Sequence, residues 1–315
     1  MSRLEIIAVD GIGEITADTD LGALIAGLDL GDGDIVMVTS KVVSKAEGLV
    51  VTGDRDDAIA GETVRVVARR GPTSIVENHL GLVMAAAGID ASNVTPGQLV
   101  LLPRDPDASA RRIREAVAAA GSNVAVLITD TAGRAWRNGQ TDITIGAAGI
   151  DVLESLAGAV DGYGNPLAVT EPAIGDELAG AADLVKGKLS GRPVAIVRGL
   201  ADRVLAPGDH GSGARAALRP RSMDMFALGS REAVVAAVAG RDSDCFGSAA
   251  TAEELATALR SCGLAAEAGA AGVAGVAVES EDPRVDLVAF AHGWRRTADR
   301  PSALLPITTS RPANP

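Results

Sequence analysis

The stretch VAVLITDTAGRAWR, residues 124–137, sets the reading of this chain. Val124 to Thr129 is a continuous apolar and β-branched run, the pattern of a strand buried on both faces. It ends in Asp130, followed by a turn glycine, Gly133, and by Arg134 and Arg137. A carboxylate therefore stands at a strand end beside two guanidinium groups. Magnesium and manganese take carboxylate oxygen and leave positions for water and phosphate, while a guanidinium fork matches phosphate oxygens. A plainer account, an Asp cap with surface arginines, fits the same residues.

Working outward, other strands deliver polar residues in the same way. Leu4 to Val9 reads as a strand ending at Asp10-Gly11-Ile12-Gly13, with Glu14 next. A lone Gly-x-Gly is more often a turn than a phosphate cradle, although glycine does let backbone N–H groups approach an anion. After a helix over Asp20–Leu28, Ile35 to Thr39 reads as a buried strand running into Ser40-Lys41-Val42-Val43-Ser44-Lys45. Two hydroxyls and two ammonium groups suit a polyphosphate; a solvated loop is the competing reading. Helices are expected at Thr63–Arg70 and Ala108–Ala120, and a strand at Leu99–Leu102. Asp142–Ala148 and Leu167–Thr170 read as extended, Asp176–Leu189 as a helix and Pro193–Val197 as a strand.

The helix at Asp176 opens with Asp176-Glu177, with Glu171 upstream. Adjacent carboxylates in a first turn usually just offset the helix dipole. Here they are also donors that Asp130 would need to hold a divalent ion. Beyond Arg241 the composition turns to Ala, Gly and Ser, which places a boundary near Asp242: residues 1–242 form the main domain and 243–315 a short extension. That extension offers a helix at Ala252–Cys262, a strand at Asp286–Ala291, a soft stretch at Gly263–Val278 and a Pro/Thr/Ser tail.

Composition excludes several classes. With three Phe, two Trp and one Tyr, and a net charge of −12, the chain has neither the stacking platforms nor the basic surface that nucleic acid rewards. No apolar run approaches the roughly 20 residues of a membrane span, and the N-terminus meets Asp and Gly too soon for a signal peptide. Cys245 and Cys262 are too sparse for a disulfide framework and read as free thiols of a cytoplasmic protein. Neither GxxxxGK[ST] nor a strand-to-helix GxGxxG occurs.

Several long segments, in order, resemble one family: TSKVVSKAEG (39–48), ENHLGLVMAAAGIDASN (77–93), LLPRDPDASA (101–110), ITDTAGRAWRNGQTDITIGAAGI (128–150) and DGYGNPLAVTEPAIGDELAGAADLVKGKLSG (161–191). They are similar to the coenzyme F-420 precursor:L-glutamate ligases, including the ligase half of actinobacterial two-domain F-420 biosynthesis proteins. The resemblance implies an α+β, mixed two-lobed ligase fold and a homodimer. It also implies GTP-driven attachment of L-glutamate to the precursor through an acyl phosphate, with magnesium or manganese as the divalent metal. Carried over by position, Asp130, Asp176 and Glu177 are the metal ligands, with Glu171 as an alternative. Gly11, Ile12, Gly13, Glu14, Ser40, Lys41 and Lys45 are the nucleotide contacts. Gly133 and Arg134 belong to the metal loop, and Arg219 and Asp224 are later nucleotide contacts. Catalytic weight falls on Asp130, Lys45 and Arg134. The two-domain relatives continue into a flavin-binding nitroreductase domain, but the residues after Asp242 are too few for one, so no flavin is expected. The alternatives are a related ligase with another acidic acceptor and a non-catalytic GTP-binding protein.

Overall fold

The computed structural model describes residues 3–269, 275–297 and 300–307. They fall into two compact units, Met1–Leu218 and Arg219–Pro315. The break thus comes ahead of the expected boundary near Asp242, because Arg221 ion-pairs with both Glu232 and Asp242 inside the second unit.

In chain order the first unit contains β1 (Glu5–Ala8), α1 (Leu21–Ala26), β2 (Ile35–Thr39), α2 (Ser40–Ala46), β3 (Val50–Thr52), α3 (Arg55–Glu62), β4 (Thr63–Arg70), β5 (Thr73–Asn78), β6 (Val83–Ala85) and β7 (Gln98–Val100). It continues with α4 (Pro106–Ala120), β8 (Ala125–Gly133), β9 (Gln140–Ala148), α5 (Ile174–Lys186) and β10 (Val194–Arg198). Its main sheet runs β1-β10-β2-β8-β9. Within it only β2 and β8 are parallel, in register from Ile35 opposite Ala125 to Thr39 opposite Thr129.

The period of two along each strand divides the core between the sheet's faces. Val36, Val38, Val126 and Ile128 pack with Ile25 of α1 and Ile113 and Val117 of α4. Ile35, Met37, Leu127 and Val197 pack with Leu178, Ala179 and Ala182 of α5 on the other side. Helices cover both faces, so the central strands carry no polar alternation until their ends. The start of α4 is fixed by Asp105, whose side chain accepts from Ala108 N, and Gly121, at φ +111°, closes its end. Smaller sheets, β4-β5-β6 and β3-β7, complete the unit, giving an α+β fold as expected.

The second unit contains α6 (Ser230–Ala239), α7 (Ala252–Ser261), β11 (Ala266–Ala268), β12 (Val276–Val278), α8 (Pro283–Ala291), β13 (Trp294–Thr297) and β14 (Arg300–Pro306). Its antiparallel sheet, ordered β11-β12-β14-β13, shares a core with α7 and α8 that includes Leu255, Leu259, Val285, Trp294 and Leu304. The described residues after Asp242 therefore belong to a unit with its own core. Among the described residues no helix is long and apolar enough to cross a membrane.

Four local expectations change. Thr63–Arg70 is a strand, β4, paired with β5 across Gly71-Pro72; Arg65 Nη2 lies 2.8 Å from Glu77 Oε2 on the neighbouring strand, and the helix lies just before it at α3. Asp286–Ala291 is helical, because Asp282 caps the first turn through Arg284 N and Pro283 occupies its first position. Ser40–Lys45 is helical as well, forming α2. Leu167–Thr170 makes no strand; its backbone bonds back to Leu156, Gly158 and Ala159 in a loop. Of the soft stretch and the tail, residues 270–274 and 308–315 lie outside the described residues, while Arg300–Pro306 of the tail is β14.

Where β9 passes under α4, a Cβ on Gly146 would lie 2.5 Å from Pro106 Cβ and 2.6 Å from its carbonyl oxygen. Gly146→Ala is expected to lower unfolding stability by about 1–3 kcal/mol, as overpacking does. An unchanged urea midpoint would contradict the close approach of α4 to the sheet.

Candidate functional site

Because β2 and β8 are parallel and in register, their C-terminal ends emerge side by side and then diverge. β2 turns directly into α2, while β8 continues into a hairpin with β9. Ser40, the first residue of α2, donates its hydroxyl to Asp130 Oδ1 at 2.6 Å. The helical repeat then stacks Ser44 above Ser40 and Lys45 above Lys41. Two cavities adjoin this point. The larger, of about 820 Å³, is lined by Gly13, Glu14, Lys45 and Arg192 among others; the smaller, of about 250 Å³, by Ser40, Ser44, Asp90 and Asp130. Thr39, Lys41, Thr131 and Lys188 line both.

The wall of the larger cavity contains a buried ion pair. Lys186 Nζ, at the end of α5, donates to Asp142 Oδ2 and Thr129 Oγ1 at 2.9 Å each, and Thr39 Oγ1 lies at 3.4 Å. Both charged side chains are 4% exposed. Thr129 and Thr131 donate their hydroxyls to Asp142, to Oδ2 at 3.0 Å and Oδ1 at 2.9 Å. Other cations are also paired: Lys45 with Glu14 at 2.5 Å, Arg192 with Asp10 at 2.6 Å, and Lys41 with Asp90 and the Ser92 hydroxyl at 2.7 Å each.

The two carboxylates of the smaller cavity differ in character. Burial drives the Asp130 carboxyl up to about 6; the Ser40 hydroxyl and the Lys188 charge oppose the rise, and the Asp142 and Asp90 charges add to it. Burial also raises Asp90, but hydrogen bonds from Lys41 and from the N–H and hydroxyl of Ser92, with the Lys41 charge, hold it below its ordinary value. Ser44 is fully buried, and its Oγ has no hydrogen-bond partner among the described residues. Two carboxylates, two threonine oxygens and an unsatisfied hydroxyl form a hard oxygen set that fits magnesium or manganese, which are held by one or two carboxylates together with phosphates and water.

The expected site residues divide between places. Ile12, Gly13, Glu14, Lys41 and Lys45 line the larger cavity, with Gly11 just before them at φ +78°. Ser40, Asp130 and Gly133 line the smaller. Arg134 is exposed on the β8–β9 hairpin and donates to Asn138 O at 3.2 Å, lining neither. Asp176 and Glu177 are not brought to Asp130. Asp176 Oδ1 accepts from Thr144 N at 2.8 Å, tying α5 to β9, and Glu177 is exposed. Among the described residues no three His, Cys, Asp or Glu side chains gather in a metal-holding group. Glu171 is exposed too. Arg219 and Asp224 belong to the second unit and lie 3.9 Å apart. Asp90 was missed: its signal was the Asp-Ala-Ser-Asn run, where Asp90 Oδ1 accepts from Ser92 N at 2.7 Å in an Asx turn.

Comparison with known proteins gives a consistent picture. The family model described as F420-0:Gamma-glutamyl ligase matches residues 54–199. The coenzyme F420:L-glutamate ligase of Methanothermobacter thermautotrophicus is 36% identical over 254 residues, covering 71% of this chain and 98% of that protein. The protein of the same name from Methanopyrus kandleri is 40% identical over 236 residues, covering 66% of this chain and 91% of the relative. That of Halobacterium salinarum is 41% identical over 219 residues, covering 61% and 85%.

Two stability predictions follow from these charges. Asp130 holds its proton more tightly folded than unfolded, so its stabilising contribution is complete below pH 4 and disappears as pH rises to about 6. Asp130→Asn should therefore make the metal-free protein more stable at pH 7.5 by about 1–3 kcal/mol, discounted for partial exposure, with no difference below pH 4. Thermal melts across that range would refute this if the gain were equal at both ends. Lys186→Met strands the buried Asp142 charge and should destabilise by about 3–5 kcal/mol; a denaturant-measured change under about 1 kcal/mol would show that Asp142 finds other compensation.

Proposed function

Because the chain belongs to the F420-0:gamma-glutamyl ligase family, we propose that it joins the amino group of L-glutamate to a carboxylate of the coenzyme F-420 precursor, using GTP as phosphoryl donor. The observation that carries this reading is the pair of adjoining cavities, one basic and one holding two carboxylates, with Thr39, Lys41, Thr131 and Lys188 common to both. The larger is within the usual range of about 300–1,000 Å³ for small-molecule sites.

On this reading Lys41, Lys45 and Arg192 receive the phosphates, exchanging carboxylate partners for phosphate oxygens. An added Cβ on Gly13 would meet no atom within 4 Å, so the backbone there is open to close approach. Asp130 and Asp90 hold the divalent ion, which when bound neutralises charge on the phosphoryl group. An oxygen of the acceptor carboxylate attacks the terminal phosphorus, the bond to the β-phosphate oxygen breaks, and GDP leaves. The glutamate nitrogen then attacks the acyl carbon, the C–N bond forms as the C–O bond to phosphate breaks, and the nitrogen gives up its proton. Phosphorylation is needed because a free carboxylate offers no adequate leaving group. Further glutamates added to the product, a homodimer and a cytoplasmic location belong to the same proposal. Self-association is supported by exposed Leu184 and Leu189 in the first unit.

The deciding measurement is mass spectrometry of the protein with glutamate-free F-420 precursor, L-glutamate, GTP and manganese, with GDP followed in parallel. One or more added glutamyl units, dependent on GTP, are expected, and Asp130→Asn should abolish them. Neither product nor GDP from the unaltered protein would overturn the reading.

A further inference from the structure

Lysine is rare in this chain. Of the 29 Lys and Arg residues only Lys41, Lys45, Lys186 and Lys188 are lysines, so arginine serves at every other cationic position. All four line the larger cavity. A sequence that uses arginine everywhere else has kept the compact, point-like ammonium in this one place, where a planar guanidinium is no substitute. Three of the four are held: Lys41 by Asp90 and Ser92, Lys45 by Glu14, and Lys186 by Asp142 and Thr129. Lys188 is exposed and makes no hydrogen bond or ion pair among the described residues.

Its backbone is nevertheless fixed. Lys186, two residues earlier, is anchored in the sheet by its ion pair, and Gly187, at φ +63°, ends α5. The turn is then closed by Ser190, whose hydroxyl donates to Lys186 O and whose N–H donates to Gly187 O at 3.3 Å. The result is a pinned root with an ammonium that makes no hydrogen bond or close ion pair among the described residues and feels the Asp130 carboxylate only through its charge. Lys41 and Lys188 are also the only cations that line both cavities among the described residues, and of the two Lys188 has no hydrogen-bonded carboxylate to release before it meets phosphate.

Resting on the ligase reading, we propose that Lys188 is a catalytic residue that contacts the phosphoryl group as it passes from the nucleotide in the larger cavity to the acceptor carboxylate in the smaller. The terminal phosphorus–oxygen bond to the nucleotide breaks as the bond to the acceptor oxygen forms. The ammonium follows the equatorial oxygens across, balances their charge, and ends the step still protonated. Its contribution is specific to the transition state, so it acts on kcat rather than on ground-state nucleotide binding.

The test compares Lys188→Met and Lys188→Arg with the unaltered protein. Steady-state ligation is measured, together with the Kd for GTP by isothermal titration. Because Lys188 is exposed and unpaired, both variants should fold, with unchanged circular dichroism. Lys188→Met should lower kcat by about 100-fold or more, with the GTP Kd within about threefold, and Lys188→Arg should recover only part of the loss. Retention of kcat within about threefold in Lys188→Met would overturn the assignment. So would equal losses in kcat and GTP affinity, which would make Lys188 a binding residue only. If the unaltered protein forms no product, the ligase reading itself fails and this role falls with it; an active parent with an equally active Lys188→Met sinks the Lys188 assignment alone.

Discussion

The parallel pairing of β2 with β8 is the constraint on which the site depends. Its last rung sets Thr39 opposite Thr129, and Lys186 Nζ donates to Thr129 and reaches toward Thr39 as well. A slip of one residue would exchange the faces of Ile35, Val36, Met37 and Val38 and place core side chains where the polar ends now meet. Because the two helical layers bury those faces, such a slip is excluded by the loss of apolar burial alone. The Ser40–Asp130 contact and the shared wall of the two cavities are therefore consequences of hydrophobic patterning deep in the sheet.

Above that last rung the chain changes from apolar to charged, and it does so with its charges already matched. Glu14, Asp10 and Asp90 stand against Lys45, Arg192 and Lys41, the cations that the proposed function assigns to phosphate. Unpaired ammonium groups crowded on one wall would repel one another and lower stability. Pairing each with a carboxylate removes that penalty, and on the proposed function a partner exchange would be the net event when phosphate enters. Glu14 and Asp10 are 75% and 76% exposed at the side chain, so releasing them to water is inexpensive, since exposed pairs contribute only about 0–1 kcal/mol. Asp130 is the exception: burial raises its carboxyl, with the Asp142 and Asp90 charges adding to the rise, and the Ser40 hydroxyl and Lys188 charge offset this only in part.

Much of this was legible in the sequence where the signal was local. Buried runs such as Val124–Thr129 announce central strands, and Gly121 ends the helix expected over Ala108–Ala120, which in the structure begins at Pro106 behind an Asp105 cap. Asp130, Lys41 and Lys45 were visible because charged residues directly follow apolar strands. Thr63–Arg70 failed because its arginines and valines fit either period, and only pairing with β5 decides between them. Asp286–Ala291 failed because β-branched and apolar content outweighed the Asp-Pro start signal. Asp176-Glu177 looked like metal ligands because two carboxylates cannot announce from sequence which backbone they cap. Asp90 was missed for the converse reason: it sits in a loop without periodicity, and its proximity to Asp130 arises only when that loop folds back to the strand ends.

The Asp142–Lys186 pair raises the question of why a charged pair lies inside a wall that Leu or Met would fill. Buried ion pairs often gain little over apolar residues of the same volume, because desolvation offsets the attraction. Here the comparison must include the threonines. Asp142 accepts from Thr129 and Thr131, and Lys186 donates to Thr129. An apolar replacement would leave those hydroxyls buried without partners, at about 1–3 kcal/mol each. Thr131 in turn lines both cavities, while Thr129 is buried behind them, so on the proposed function the pair backs the wall that ligand would meet. The ion pair is thus the core's accommodation to its own polar edge: it satisfies the buried Thr129 hydroxyl and anchors that of Thr131 at the cavity wall.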